Sequence, residues 1–254
     1  METIQTLALD GRMTMHVYGD SILKGIILDE DRGQYVPMKQ DDFAPLCEKY
    51  AMDVVNKSKF GYTIGRGWAL MSRALQNAAE KNTVPCRYMV LEYGGNDCNF
   101  DWKAVSDDPH GEHMPMTTLA AFTDTMKHII SVLREHAITP ILVSLPPIHA
   151  VRYLNHIVAS TPGTDKARIL SWLGGDAEMI YRYQELYSSV VTRTAYEMNC
   201  MYVDLRSAFL DKHNYMELLC RDGIHPNEKG HALIADAFLQ MAERIGSTLQ
   251  RQTA

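Results

Sequence analysis

Pro140-Ile141-Leu142-Val143-Ser144-Leu145 is an almost continuous apolar run, and Pro146-Pro147 ends it. A strand with one wet face alternates apolar and polar residues. A run that is apolar on both sides suits a strand buried on both faces, as in parallel sheets covered by helices. The neighbouring patterns agree. Upstream, helical spacing runs from Leu119 to His136, and Arg87–Tyr93 forms an earlier strand that stops at Gly94-Gly95-Asn96-Asp97. Before it, Trp68–Glu80 places Ala69, Leu70, Ala74, Leu75 and Ala78 on one helical face. Met52–Asn56 reads as a strand, Phe43–Tyr50 as a helix and Met13–Tyr18 as the first strand, which stops at Gly19-Asp20-Ser21. Downstream lie a helix over about Ala177–Asn199, a fifth strand at Met201–Leu205 and a final helix over about Asn227–Ile245. Strands alternating with helices predict an α/β fold with a parallel sheet. Right-handed crossovers then bring every strand's carboxyl end to one edge, where open α/β sheets place ligands.

The 254 residues carry no repeat, low-complexity stretch or Gly/Ser linker, so one domain over 1–254 is expected. The polar segment Asp29–Asp42 reads as a loop. Cys98–Pro115 is long and irregular, and Ile148–Gly175 is irregular or made of short helices. Segments of this length without structure of their own are usually functional or disordered.

The net charge of −6 argues against a general nucleic-acid or anionic-membrane binder. Met1-Glu2-Thr3-Ile4-Gln5 lacks a basic region followed by an apolar run, as a secretory signal would have, and no stretch approaches the roughly 18 apolar residues of a membrane span. The five cysteines (Cys47, Cys86, Cys98, Cys200, Cys220) are scattered and form no C-x-x-C pair. Reduced thiols in a cytoplasm are the expectation.

Ser21 sits just past the first strand, and Asp222-Gly223-Ile224-His225-Pro226 precedes the last helix. A serine hydroxyl becomes a useful nucleophile only when a base takes its proton, and histidine suits that task near neutral pH. The imidazole must be held in one tautomer, commonly by a carboxylate. Asp222 and His225, three residues apart in a tight turn, can supply orienter and base. Backbone amides of Ser21 and Gly61 and the side-chain amide of Asn96 are candidate donors for a developing oxyanion.

Gly19-Asp20-Ser21, Phe60-Gly61, Gly94-Gly95-Asn96-Asp97 and Asp222-Gly223-Ile224-His225-Pro226 together resemble the four ordered sequence blocks of the SGNH (GDSL-type) hydrolases. The resemblance spans nearly the whole chain. It implies a flavodoxin-like three-layer α/β/α sandwich with a five-stranded parallel sheet, and ester hydrolysis without metal or other cofactor. It assigns Ser21 as nucleophile, His225 as base and Asp222 as its partner, with Ser21, Gly61 and Asn96 forming the oxyanion hole. Ile22 stands where the name-giving block has leucine, and the second block lacks the usual glycine spacing, which leaves Gly65 and Gly67 as alternatives to Gly61.

Asp20, Gly94 and Asp97 flank these positions, and the carboxylates suit loop-holding better than chemistry. His110-Gly111-Glu112-His113 offers too few ligands for an ordinary zinc site. Cys98 reads as packing. Trp102, Tyr153 and Trp172 either line a pocket or anchor loops. The expected partner is a small-molecule ester: a short-chain or carbohydrate-linked one, or a lysophospholipid or thioester with the same triad. The rival readings are a metal-dependent phosphoesterase built on Asp20, Asn96, Asp222 and His225, and a non-catalytic binding module. Substrate choice is expected to lie in Cys98–Pro115 and Ile148–Gly175; oligomeric state is not legible.

Overall fold

A computed structural model of the chain describes residues 13–39, 41–50 and 52–252. The N-terminal stretch Met1–Gln5 lies outside them. The strands are β1 (Met13–Gly19), β2 (Ile26–Asp29), β3 (Gln34–Pro37), β4 (Met52–Asn56), β5 (Tyr88–Glu92), β6 (Thr139–Val143) and β7 (Met201–Val203). The helices are α1 (Ala44–Tyr50), α2 (Ile64–Glu80), α3 (Trp102–Asp107), α4 (Leu119–Glu135), α5 (Ala150–Ser160), α6 (Lys166–Trp172), α7 (Glu178–Glu197), α8 (Leu205–Leu210) and α9 (Glu228–Gln252).

Five strands form one parallel sheet in the order β4-β1-β5-β6-β7. Its strands feed two cores alternately. Met15 and Val17 of β1, Tyr88 and Val90 of β5, and Ile141 and Val143 of β6 enter one core with Leu46 of α1, Phe209 of α8 and Phe238 of α9. Tyr18, Met89, Leu91 and Leu142 enter the other with Met71 and Leu75 of α2, Phe122 and Ile129 of α4, and Val190 of α7. Both faces of the sheet are therefore covered, which is why Pro140–Leu145 carries almost no polar residue. The result is the expected three-layer α/β/α arrangement with a five-stranded parallel sheet.

Helix α4 shows how sequence becomes element. Thr118 caps it by accepting from the Ala121 amide at 3.3 Å, and Phe122, Met126, Ile129, Ile130 and Leu133 form one buried stripe. Burying each such side chain contributes roughly 1.5–3 kcal/mol.

The strand order reverses beside β1, which pairs with β4 on one side and β5 on the other. Such a switch point opens a crevice at the strands' carboxyl ends. Asp20 and Ser21 follow β1 directly into it.

Two segments differ from the expectation. The polar stretch read as a loop contains the antiparallel hairpin β2–β3. Asp29 accepts from the Asp31 and Arg32 amides, and Gly33 takes φ +64 to close the turn. Cys98–Pro115, read as irregular, holds the short helix α3, and Ile148–Gly175 holds α5 and α6, in keeping with the short helices expected there; together they bury Trp102, Val105, Leu154, Ile157 and Ile169 in a third, smaller core with Phe100 and Ile180. Helix α2 also begins at Ile64, before the expected Trp68, because Gly65 and Gly67 masked its first turn in the sequence.

Candidate active site

Ser21, Asp222 and His225 are all buried, and the fold brings them together. Ser21 Oγ lies 2.9 Å from His225 Nε2, and His225 Nδ1 lies 2.7 Å from Asp222 Oδ2. The Ile224 and His225 amides donate to Asp222 Oδ1 at 3.0 and 3.1 Å. Burial works against ionisation of Asp222. The hydrogen bond and charge of His225, together with these two amides, outweigh it and hold the carboxyl below its ordinary value. A carboxylate so held fixes the imidazole with its other nitrogen toward the serine.

Asn96 Nδ2 donates to Asp20 Oδ2 at 2.9 Å and to the Tyr62 carbonyl at 3.2 Å. Asp20 also accepts from the Ile22 amide at 2.8 Å, so its carboxylate braces the turn after β1 against Asn96. Gly61 takes φ +71 and borders the same groove as Ser21 and Asn96. Gly65 is exposed within α2, and the Gly67 amide is committed to the Thr63 carbonyl at 2.9 Å. Of the three glycines, Gly61 alone combines an open backbone with a place beside Ser21. Gly94 bends the chain at φ +134, and any Cβ there would stand 2.9 Å from Leu145 Cδ1. Asp97 accepts from the Ile64 amide at 3.1 Å and so holds the start of α2; burial first, and then Asp20, push its carboxyl up to about 6.

Glu92, the last residue of β5, is a site residue that sequence reasoning missed. It is fully buried, and its Oε2 lies 3.4 Å from the Asp20 amide nitrogen. Burial, and then the charge of Asp20, raise its carboxyl well above the ordinary value. The available signal was a single acid ending an otherwise apolar strand. Tyr35 of β3 was missed as well. Its hydroxyl donates to Asp222 Oδ2 at 3.1 Å and lies 3.0 Å from His156 Nε2.

Two spaces meet at Ser21. The inner cavity, about 80 Å³, is walled by Leu145, Ile148, Ile180, Tyr183, Phe100 and Trp102. The outer groove, about 360 Å³, carries Tyr35, Phe60, Trp102 and Tyr153 among Asn99, Asp101, Lys103 and Ser160. Phe60 lies parallel to the His225 ring, 6.0 Å between centroids. Trp102 and Tyr153 thus line the site, both bonded to Asn99 Oδ1 at 2.7 and 3.0 Å, whereas Trp172 packs behind them against Phe100. Cys98 is buried, and burial pushes its thiol far above the usual range, as suits packing. His113 bonds the Asp108 carbonyl at 2.8 Å and meets Trp172 edge-on. Among the described residues no cluster of three or more His, Cys, Asp or Glu side chains has the arrangement of a metal site. None of their helices is long and apolar enough to cross a membrane.

The chain matches the model of the GDSL-like Lipase/Acylhydrolase family over residues 17–233. It belongs to that family. Among curated proteins it is similar to the GDSL esterase/lipase CPRD49 of Arabidopsis thaliana, 24% identical over 209 residues, which covers 79% of this chain and 71% of that protein. A shorter match, 35% identical over 69 residues, joins 26% of the chain to 32% of an acetylxylan esterase of Geobacillus stearothermophilus. Among solved structures it is similar to the lipase/acylhydrolase from Enterococcus faecalis, with TM-score 0.57 and 19% identity over 90% of this chain and 94% of that one. A catalytic mutant of Axe2, an acetylxylan esterase from Geobacillus stearothermophilus, superposes with TM-score 0.58 and 21% identity, covering 90% and 93%. As a GDSL-family member, this chain is an ester-bond hydrolase.

Proposed function

We propose that this hydrolase is a serine esterase that removes short acyl groups, acetyl foremost, from a carbohydrate or similar polyol. The observation that carries the reading is the unbroken chain from Ser21 Oγ through His225 to Asp222, at 2.9 and 2.7 Å. Ser21 attacks the acyl carbon while His225 Nε2 takes its proton, and Asp222 stabilises the imidazolium. The ester oxygen leaves as an alcohol with that proton. Water then attacks the acyl carbon as His225 takes its proton, and the acid leaves as His225 returns that proton to Ser21 Oγ.

The negative oxygen formed on attack meets the amides of Ser21 and Gly61 and the side chain of Asn96. Asn96 must turn one N–H from its present partners toward that oxygen. The Tyr62 carbonyl, at the longer distance, is the partner it gives up, while Asp20 keeps the amide aimed. Such a donor is worth about 10²–10³ in turnover.

The acyl reading is supported by the narrow inner cavity beside Ser21. The polyol reading is supported by the outer groove, where aromatic faces alternate with amide, hydroxyl and charged groups, and by the acetylxylan esterases among the similar proteins. Nothing in the site favours the phosphoesterase alternative. Asp20 and Asp222 direct their oxygens at protein donors.

Ser21→Ala provides the test. With a chromogenic acetyl ester, turnover is expected to fall by at least about 10⁴-fold, with folding unchanged by circular dichroism. Release of acetate from an acetylated xylo-oligosaccharide is expected to vanish with it. Turnover near wild type in the variant would refute the serine mechanism, and activity abolished by a chelator in the wild type would favour the metal-dependent reading.

A further inference from the structure

The hairpin β2–β3 leans on the loop that carries Asp222. The Leu28 amide points at Cys220 Sγ, 3.5 Å away, and Glu30 Oε1 accepts from the Arg221 amide at 3.2 Å. Both contacts fall on the two residues immediately before Asp222. From this hairpin Tyr35 reaches the Oδ2 atom of Asp222, the same oxygen that faces His225 Nδ1. Its ring also packs on the imidazole, 4.7 Å between centroids.

A phenol has one proton. If Tyr35 donates to Asp222, its oxygen can only accept from His156 Nε2, which must then carry the proton. His156 comes from α5, a separate element, so Asp222, Tyr35 and His156 form a connected polar chain running from the buried carboxylate to the half-exposed groove. Chains of this kind act as a unit, each bond polarising the next.

We propose that Tyr35 and His156 are positioning residues that clamp the Asp222 oxygen facing His225, making the hairpin part of the proton-relay machinery. The inference rests on the serine mechanism proposed above. The Tyr35 bond does two things. It fixes the carboxylate in the plane that aims His225 at Ser21. It also shares the negative charge of Oδ2, so the imidazolium is stabilised less strongly than by a free carboxylate. The other titratable and charged groups facing this cluster are Asp20, Tyr153, Cys220 and Arg221.

The test compares Tyr35→Phe, His156→Leu and His156→Gln with wild type, using the pH profile of kcat/KM on a chromogenic acetyl ester. Tyr35→Phe keeps the ring and loses only the hydroxyl. Its kcat is expected to drop about tenfold, the size of one hydrogen bond to a charged group. KM should change little, and the acid limb should move up by about half a pH unit because the unshared carboxylate favours the imidazolium more. His156→Leu should move the limb in the same direction by less, and His156→Gln, whose amide still donates, should recover most of that shift. An unmoved acid limb in Tyr35→Phe overturns the proposal, and so does a loss confined to KM, which would make Tyr35 a substrate contact alone. If Tyr35→Phe does not fold, His156→Leu decides by the same criterion. A silent Tyr35→Phe beside an inactive Ser21→Ala removes the clamp and leaves the serine mechanism standing. An active Ser21→Ala removes both.

Discussion

His16 stands in β1 with its ring buried and its Nδ1 without a partner among the described residues. Burial first, and then the nearby Lys57 charge, lower its pKa from 6.5 to about 4. The unfolded chain therefore takes up a proton near pH 6.5 while the folded protein refuses it until about pH 4. The neutral ring contributes stability that is complete above pH 6.5 and is lost as the pH falls toward 4. Thermal melts of wild type and His16→Gln should diverge across that window, with the wild type losing more, and run parallel below it; curves parallel throughout would show that His16 does not set the acid limit. Glu92 shifts in the opposite direction, a buried acid whose carboxyl is raised by burial first and then by the charge of Asp20. Neither behaviour is visible in sequence, where a histidine inside a strand and an acid at its end carry no mark of burial. Ser21, Asp222 and His225 were legible because each lies within a few residues of glycine at a strand end or helix start. Tyr35 sits after Gly33 in a turn that matches no catalytic pattern, and His156 has no glycine near it, so only the tertiary chain through Tyr35 to Asp222 distinguishes them.

Helix α2 carries two glycines near its start that face opposite fates. A Cβ on Gly67 would lie 2.3 Å from the Tyr93 hydroxyl and ring, whereas one on Gly65 would meet nothing within 4 Å. Tyr93 is itself buried and has nowhere to retreat. Gly67→Ala should therefore destabilise by about 1–3 kcal/mol through overpacking. Gly65→Ala should stabilise by up to about 1 kcal/mol, because alanine loses less backbone entropy in a helix. Denaturant midpoints measured side by side check both signs, and equal shifts would mean that α2 does not press on Tyr93 as described. These same glycines hid the first turn of α2 from its apolar periodicity, since neither supplies a side chain to the pattern. The hairpin was hidden differently. Its strands are four residues each, and the charged turn Glu30-Asp31-Arg32 between them dominates the local composition. The available signal was Ile26 and Leu28 before, and Tyr35 and Val36 after, an aspartate–glycine turn.

At the scale of the molecule, the sheet and its two flanking cores were legible because parallel strands advertise themselves as continuous apolar runs. The third core was not. Phe100, Trp102, Leu154, Ile157, Ile169 and Ile180 come from four separate stretches, and each stretch is too short to show a period of its own. In the proposed mechanism this core sets specificity, because Phe100, Trp102, Ile148 and Ile180 belong both to the third core and to the wall of the inner cavity beside Ser21. A wall shared with a packed core cannot yield to a longer chain without cost. The wild type should accordingly prefer acetyl over butyryl esters of the same alcohol. Shortening the wall by Ile180→Ala should raise the butyryl-to-acetyl ratio of kcat/KM by about tenfold, on the order of one or two methylenes of new burial. The same change should lower stability by about 2–5 kcal/mol, since it also removes atoms from the third core. The two effects separate cleanly: the stability loss follows from the packing alone, while the change in ratio requires the acyl chain to occupy the inner cavity. A destabilised variant with an unchanged ratio would place the acyl group elsewhere, along the outer groove past Phe60 and Tyr153.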